Sequence, residues 1–304
     1  MKQNESSITS LMTSFGRAYH SRFDNPKIFN DDIAEQLITK QEFDNISENL
    51  IQGSQFFIDT IPSKILDQPK EILRWITQVQ LSPISLSRSA FCEKVLHNEI
   101  MLGAVQYVIL GAGLDTFGYR HPEFNPRLQI FEIDHPSTQA VKVDRLKLAD
   151  LDLPNNLHFV AMDFTHEFSP QQLYIAGFEN KKTFFSLLGV SYYLTKIETI
   201  NLLKHIFAIV PKGSSIVFDF ADENVFVEKG KHNRVANMLK MAATVGEPMK
   251  SGFSYDELEQ LLEECGLLIY EHLTPAQINE QFFKNRTDYL TAFETVHYIH
   301  AVKQ

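Results

Sequence analysis

Three carboxylates follow three short apolar runs, each placed to accept hydrogen bonds from a small polar ligand. Asp115 comes after Val108-Ile-Leu-Gly-Ala-Gly-Leu, Asp134 closes Phe131-Glu-Ile-Asp, and Asp163 stands in Met162-Asp-Phe164. The first lies two residues beyond Gly111-Ala112-Gly113. Glycine has no Cβ, so the chain there can take unusual dihedrals and let a ligand lie on the main chain. A dinucleotide, a phosphate, another nucleoside ligand and a plain tight turn all suit such a stretch.

The neighbouring residues narrow that choice. A nicotinamide dinucleotide favours a third glycine three residues after the second, where this chain has Thr116. Asp115 lies where a pyrophosphate would sit; a carboxylate repels that group but accepts from an ammonium or hydroxyl. Asp134, about 20 residues past the glycines, is placed for both ribose hydroxyls. Asp163 can accept from an exocyclic amino group, with Phe164 beside the ring. Any one of these acids could be a solvated loop residue or a helix cap. Three in register after consecutive strands outline an adenosine, and S-adenosylmethionine is the common adenosyl cofactor without phosphates.

Such residues need parallel strands to carry them. Apolar runs at Gln106–Leu110, Leu128–Ile133, Leu157–Ala161, Thr183–Leu188 and Ser215–Phe220 alternate with helical stretches near 136–150, 169–177 and 195–210. That alternation predicts right-handed crossovers and a sheet covered on both faces. Ser254–Cys265 reads as a helix, with Ser254 and Glu257 as a capping box and Gly266 as its stop. Two strands follow, Leu267–Leu273 and His297–Val302, giving an α/β sheet of about seven strands.

Upstream, Ile8, Leu11, Met12 and Phe15 mark one helical face, Ile33, Leu37 and Ile38 another, and a long helix over Leu86–Leu102 stops at Gly103. Residues 1–100 are thus a helical cap, 104–223 carry the β-α units, 224–250 form a polar insertion, and 251–304 complete a single domain.

Composition limits the class of partner. Apolar residues make up 44% of the 304, enough for a substantial core, and 38 acidic against 28 basic residues leave a net charge of −10. Nucleic-acid binding is disfavoured, because phosphate neutralisation calls for a basic face. Cys92 and Cys265 are far apart and fit reduced, buried thiols. The polar start, Met1-Lys-Gln-Asn-Glu-Ser-Ser, lacks the apolar segment of a signal peptide. No apolar run approaches the ~20 residues of a membrane span. A cytoplasmic protein with no membrane partner is expected, as monomer or homodimer.

Gln106–Arg120, together with Phe131-Glu-Ile-Asp-His-Pro136, resembles the leucine carboxyl methyltransferase-like family of S-adenosylmethionine-dependent O-methyltransferases, in particular its bacterial branch acting on polyketides and other small molecules. Gly16-Arg-Ala18, Leu86-Ser-Arg88-Ser, Leu188-Gly-Val-Ser-Tyr-Tyr-Leu194 and Gly246-Glu-Pro-Met match further elements, so the resemblance covers nearly the whole chain. It implies a class I methyltransferase (Rossmann-like) fold, mostly parallel with an antiparallel last strand. By matching position it implies that Arg88 pairs with the cofactor's methionine carboxylate, as a planar guanidinium suits. Gly111, Ala112 and Gly113 would lie under the methionine portion, Asp134 with His135 at the ribose, and Asp163 with Phe164 at the adenine. Leu188 would also touch the cofactor, and Arg17 would be a second carboxylate contact or part of the substrate site.

Two departures stand out. Many members carry Glu-Gly where this chain has Leu188-Gly189, so Asp115 or a backbone carbonyl would have to hold the cofactor's amino end. Phe117 stands where bacterial members often have arginine.

For the acceptor, Tyr192 is the catalytic candidate and Tyr193 the substrate-binding one, since both follow the fourth strand; packing under the next helix is the plainer alternative. His20, His135, His232 and His297 could act as bases, though a structural role suits each better. Asp219 and Asp222 could border the acceptor pocket. No histidine pair has metal-ligand spacing, and no metal is expected. The 224–250 insertion is placed as a lid, and residues 1–60 as the opposite wall.

The expected activity is methyl transfer to a carboxylate or hydroxyl of a small molecule. A non-catalytic S-adenosylmethionine-binding scaffold, to which Leu188 lends support, is the main alternative. Protein carboxyl methylation and an NAD(P) enzyme are weaker ones.

Overall fold

The computed structural model describes residues 8–164 and 168–304. The polar start at residues 1–7 lies outside the described residues. Seven strands form one sheet: β1 (Gln106–Leu110), β2 (Gln129–Asp134), β3 (Leu157–Ala161), β4 (Thr183–Leu187), β5 (Ser215–Ala221), β6 (Leu267–Leu273) and β7 (Val296–Lys303). Their order is β3-β2-β1-β4-β5-β7-β6. The first five run parallel, and β7 is antiparallel to both of its neighbours.

Strand residues divide their side chains between two cores, as a period of two requires. Val108, Leu110, Phe131 and Ile133 pack to one side, with Leu203, Ile206 and Leu262 from the covering helices. Tyr107, Ile109 and Ile130 pack to the other, with Leu86, Phe91 and Leu96 of the long helix Ser82–Met101. Burial on both faces is why these strands read as continuous apolar runs.

The order turns back at β1, whose neighbours β2 and β4 lead to opposite edges of the sheet. An open parallel sheet leaves a crevice at such a reversal, outside the carboxyl ends of its strands.

The helical cap comprises Ile8–Phe23, Asp32–Gln36, Lys40–Gln52 and Pro69–Ile76, and a π turn at Thr77–Leu81 leads into Ser82–Met101. It is tied to the sheet through the buried Asp31. That carboxylate accepts from Arg17 Nε at 2.7 Å, from Thr116 Oγ1 at 2.7 Å and from the amide of Ala34. Thr116 belongs to the turn after β1, so one carboxylate joins the cap to the site-forming loop.

The insertion contains one α-helix, Arg234–Thr244. It is fastened by Arg234, which is 2% exposed and bonds Glu294, Thr291 and the carbonyl of Ala292. Two smaller expectations need correction. Ser254 does accept from the Glu257 amide, but the Glu257 carboxylate pairs with Lys196 instead of completing a capping box. Cys92 is buried but Cys265 only half-buried; both are free thiols. No described helix is long and apolar enough to cross a membrane.

Candidate functional site

A cleft of about 300 Å³ opens at the carboxyl ends of β1 to β4. Small-molecule sites span roughly 300–1,000 Å³. The turn after β1 supplies Gly111, Ala112, Gly113 and Asp115, β2 supplies Asp134 and His135, and β3 supplies Asp163 and Phe164. Arg17, Arg88, Leu188 and Tyr193 line it as well. Tyr192, the catalytic candidate, lines an adjoining pocket instead.

The first turn is built by main-chain bonds. The amides of Gly111 and Ala112 both donate to Ile133 O, at 2.8 and 3.1 Å, locking the turn to β2. Gly111 has φ +75°, and a Cβ there would collide with Val190. The glycine is required by a protein neighbour as well as by backbone conformation, not only by an approaching ligand. Asp115 caps the next turn by accepting from the Phe117 amide at 2.8 Å, so one oxygen already serves the fold.

Asp134 is held from two sides. Its Oδ2 accepts from the Gly113 amide at 2.5 Å and its Oδ1 from the His135 amide at 2.6 Å. Burial pushes its carboxyl pKa up, and the two amides work against that shift. A carboxylate fixed in this way at a strand end keeps lone pairs for a vicinal diol. Next to it, His135 Nδ1 accepts from the Ser137 amide, and Nε2 faces Asp163 Oδ2 at 3.8 Å.

Arg88 depends on a residue that sequence reasoning placed only loosely. Asp219, fully buried on β5, accepts from Arg88 Nη1 at 2.9 Å through Oδ2, and from the Gly189 amide at 2.6 Å through Oδ1. The guanidinium lies so close over Gly189 that a Cβ there would stand 2.5 Å from Nη1. Gly189 also has φ +72°. The Leu188-Gly189 element therefore owes its glycine to Arg88. Burial works against the Arg88 charge, but Asp219 outweighs it and leaves the pKa raised.

Tyr192 is a positioning residue. Its hydroxyl donates to Asp219 Oδ2 at 2.7 Å, and burial, with that carboxylate beside it, pushes its pKa well up. That bond ties the phenol through Asp219 to Arg88, while the side chain lines the adjoining pocket. Tyr193 lines both cavities, its pKa pushed up to about 12 by burial and by Glu247. Arg17, bound to Asp31 and to Leu114 O, lines the cleft and is absent from the lining of the second pocket.

The histidines proposed as bases separate cleanly. His20 is fully buried between Asp24 and the Ile28 amide. His232 packs edge-on against Trp75, and His297 stacks on His272. Only His135 is on the cleft. Asp222 caps the turn Glu223–Phe226.

Sequence reasoning missed Glu247 as a site residue. It lines the cleft and accepts from Thr9 Oγ1. The Gly246-Glu-Pro-Met match was the available signal. Among the described residues, no cluster of His, Cys, Asp and Glu could hold a metal ion.

The second pocket, about 160 Å³, shares Thr9, Thr13, Arg88, Gly189 and Tyr193 with the cleft. Its roof is the insertion helix, through Met238, Met241 and Ala242. The insertion helix thus lies over this pocket.

A family model for leucine carboxyl methyltransferase matches residues 10–207, more than half of the chain. YktD of Bacillus subtilis (strain 168), provisionally named an S-adenosyl-L-methionine-dependent methyltransferase, is 60% identical over the whole length of both chains. Rv3399 of Mycobacterium tuberculosis (strain ATCC 25618 / H37Rv), named in the same provisional way, is 30% identical over 71% of this chain and 60% of its own. Magnesium protoporphyrin IX methyltransferase from Synechocystis PCC 6803, solved with bound SAH, superposes with a TM-score of 0.47 at 11% identity, over 83% of this chain and 100% of that one. The sheet order and the reversed β7 are those of the class I methyltransferase fold.

Proposed function

The chain belongs to the leucine carboxyl methyltransferase family and is an S-adenosylmethionine-dependent methyltransferase; from that premise we propose that it methylates an oxygen, carboxylate or hydroxyl, of a small-molecule acceptor. The observation that carries the assignment of the cleft is convergence. The turn at 111–113, Asp134 and Asp163 come from three different strands and line one cavity.

When bound, the cofactor supplies a methyl group already activated on a sulfonium sulfur. The protein then has to orient it, bring an oxygen into line and keep water away. Arg88, braced by Asp219, takes the methionine carboxylate. Asp134, aimed by two amides, takes the ribose hydroxyls. Asp163 and Phe164 take the adenine. Leu188 leaves one of the family's usual carboxylates missing, and Asp115 and Glu247, both on the same cleft, are the acids left for the amino end.

The test is calorimetric titration with S-adenosylmethionine, followed by transfer of labelled methyl to a panel of acids, phenols and alcohols. Alkali-labile label marks an ester, and alkali-stable label an ether. Tight binding with no transfer to any member would sink the proposal in favour of a scaffold.

A further inference from the structure

We infer that the second pocket holds the methyl acceptor and that Gln80 selects there an apolar molecule bearing a hydroxyl group remote from the oxygen that is methylated. This rests on the methyltransferase reading and adds a substrate class and a specificity residue to it.

Gln80 lines the pocket and is 8% exposed. It belongs to the π turn, a feature that often marks functional sites. Its Nε2 donates to the carbonyl of Arg234 at 3.0 Å, where the insertion helix begins. A carbonyl only accepts, so this bond settles which end of the amide is nitrogen. Oε1 is left buried, with no hydrogen-bond partner among the described residues. A buried acceptor in that state destabilises the fold, and a proton donated by a ligand relieves it. Two hydroxyls on the same wall are engaged elsewhere: Ser85 donates to Ser82 O and Tyr192 to Asp219.

Position supplies the rest. Gln80, Ile84 and Arg88 all line the pocket, but of the three only Arg88 also lines the cofactor cleft. Eight residues of helix rise about 12 Å, so Gln80 lies well away from that junction. The insertion helix runs in the same sense. It starts beside Gln80 at Arg234, and Gly246 and Glu247, just past its end, line the cleft. Between the two ends the wall is apolar, with Leu81, Ile84, Met238 and Met241. Methionine is unbranched and polarizable and fits itself around varied apolar shapes. A lone acceptor atom at the closed end of such a slot favours a hydroxyl. It disfavours the same molecule without one, because Oε1 then stays unpaired. An ether oxygen there meets lone pairs with lone pairs. An ammonium finds no carboxylate among the described lining residues of this pocket to offset its loss of water.

The experiment compares trios of molecules that differ at one end only: hydroxy, methoxy and unsubstituted. Biphenyl phenols and straight eight-carbon alcohols and acids serve as the bodies. Binding is measured by calorimetry on protein saturated with S-adenosylhomocysteine, and turnover as kcat/KM for methyl transfer. We expect the hydroxy member of a trio to bind about tenfold more tightly than the unsubstituted one, with the methoxy member weakest, and kcat/KM to follow the same order. Gln80→Met removes Oε1 and should abolish the preference for hydroxyl, while Ser85→Ala should keep it. Unchanged affinity for S-adenosylmethionine reports that each variant folds. Equal binding within every trio, tighter binding of the ether, or no binding at all overturns the inference whether or not transfer to other acceptors proceeds. A preference that survives Gln80→Met overturns the assignment to Gln80. The expected order of binding without transfer to any member overturns oxygen methylation and, with it, the pocket's role as acceptor site.

Discussion

Arg88 shows how a functional side chain depends on one that touches no ligand. A charge-assisted bond is worth about 1.5–3 kcal/mol, so Arg88→Ala should weaken S-adenosylmethionine binding by one to two powers of ten in calorimetry. Unchanged affinity in a folded variant would show that another group holds the carboxylate. Asp219→Asn keeps the shape but removes the charge that braces Arg88, and should cost about tenfold in the same measurement. Tyr192→Phe deletes a single bond to Asp219. We expect it to lose less than tenfold, about 1 kcal/mol, and to leave the pH profile of turnover unmoved, because burial beside Asp219 pushes the phenol's pKa well up. A pH profile displaced by Tyr192→Phe would restore the tyrosine to the chemistry. Arg88 and Asp134 could be found from the sequence because each sits in a spaced motif. Asp219 stands in Ser215-Ile-Val-Phe-Asp-Phe-Ala221, where nothing tells a lone acid that organises three partners from one that faces solvent. Its meaning comes from β4 and the long helix arriving beside it.

Elements were more legible than partners. Buried strands declare themselves as apolar runs, and β1, β3 and β6 begin and end where those runs do. Helix ends were clear where a cap is local: Ser254 at one end, and Gly266 at φ +72° at the other. Less was visible where an end is set by distant contact. The insertion helix starts at Arg234 because that guanidinium is seated among Thr291, Ala292 and Glu294, some 57 to 60 residues away in sequence. The turn at Gly111 offers a test at this scale. Gly111→Ala strains a positive φ and drives a methyl group into Val190. It should destabilise the protein by about 1–3 kcal/mol in chemical denaturation. Adding Val190→Ala relieves the collision but not the dihedral, so the double variant should recover part of the loss. Full recovery would mean that backbone strain at 111 is negligible; no recovery would mean that Val190 was never the obstacle.

At the scale of the whole molecule, the site rests on a buried ion pair that the sequence did not single out. Glu132, on β2 beneath the ligand-binding turn, contacts Lys142 of the helix Pro136–Leu148, and Lys142 Nζ also donates to Asp115 O at 2.6 Å. Both side chains are 1% exposed, and Glu132 Oε1 has no hydrogen-bond partner. Burial is the dominant influence and raises the Glu132 pKa to about 7, with Lys142 opposing it. A carboxyl whose folded pKa lies above its unfolded value of 4.5 favours the fold most below that lower value. The contribution then fades as pH rises through 7. Glutamine cannot ionise, so Glu132→Gln should gain on the wild type as pH climbs. We expect the difference in unfolding free energy, variant minus wild type, to grow by about 2 kcal/mol between pH 5 and pH 8. The comparison cancels groups of opposite sign, notably His272, whose pKa is lowered to about 4 by burial. Parallel stability curves for the two proteins would mean that Glu132 stays ionised throughout that range. The support under the glycine turn would then be a permanent salt bridge, and affinity for the cofactor would not inherit a pH dependence from beneath the site.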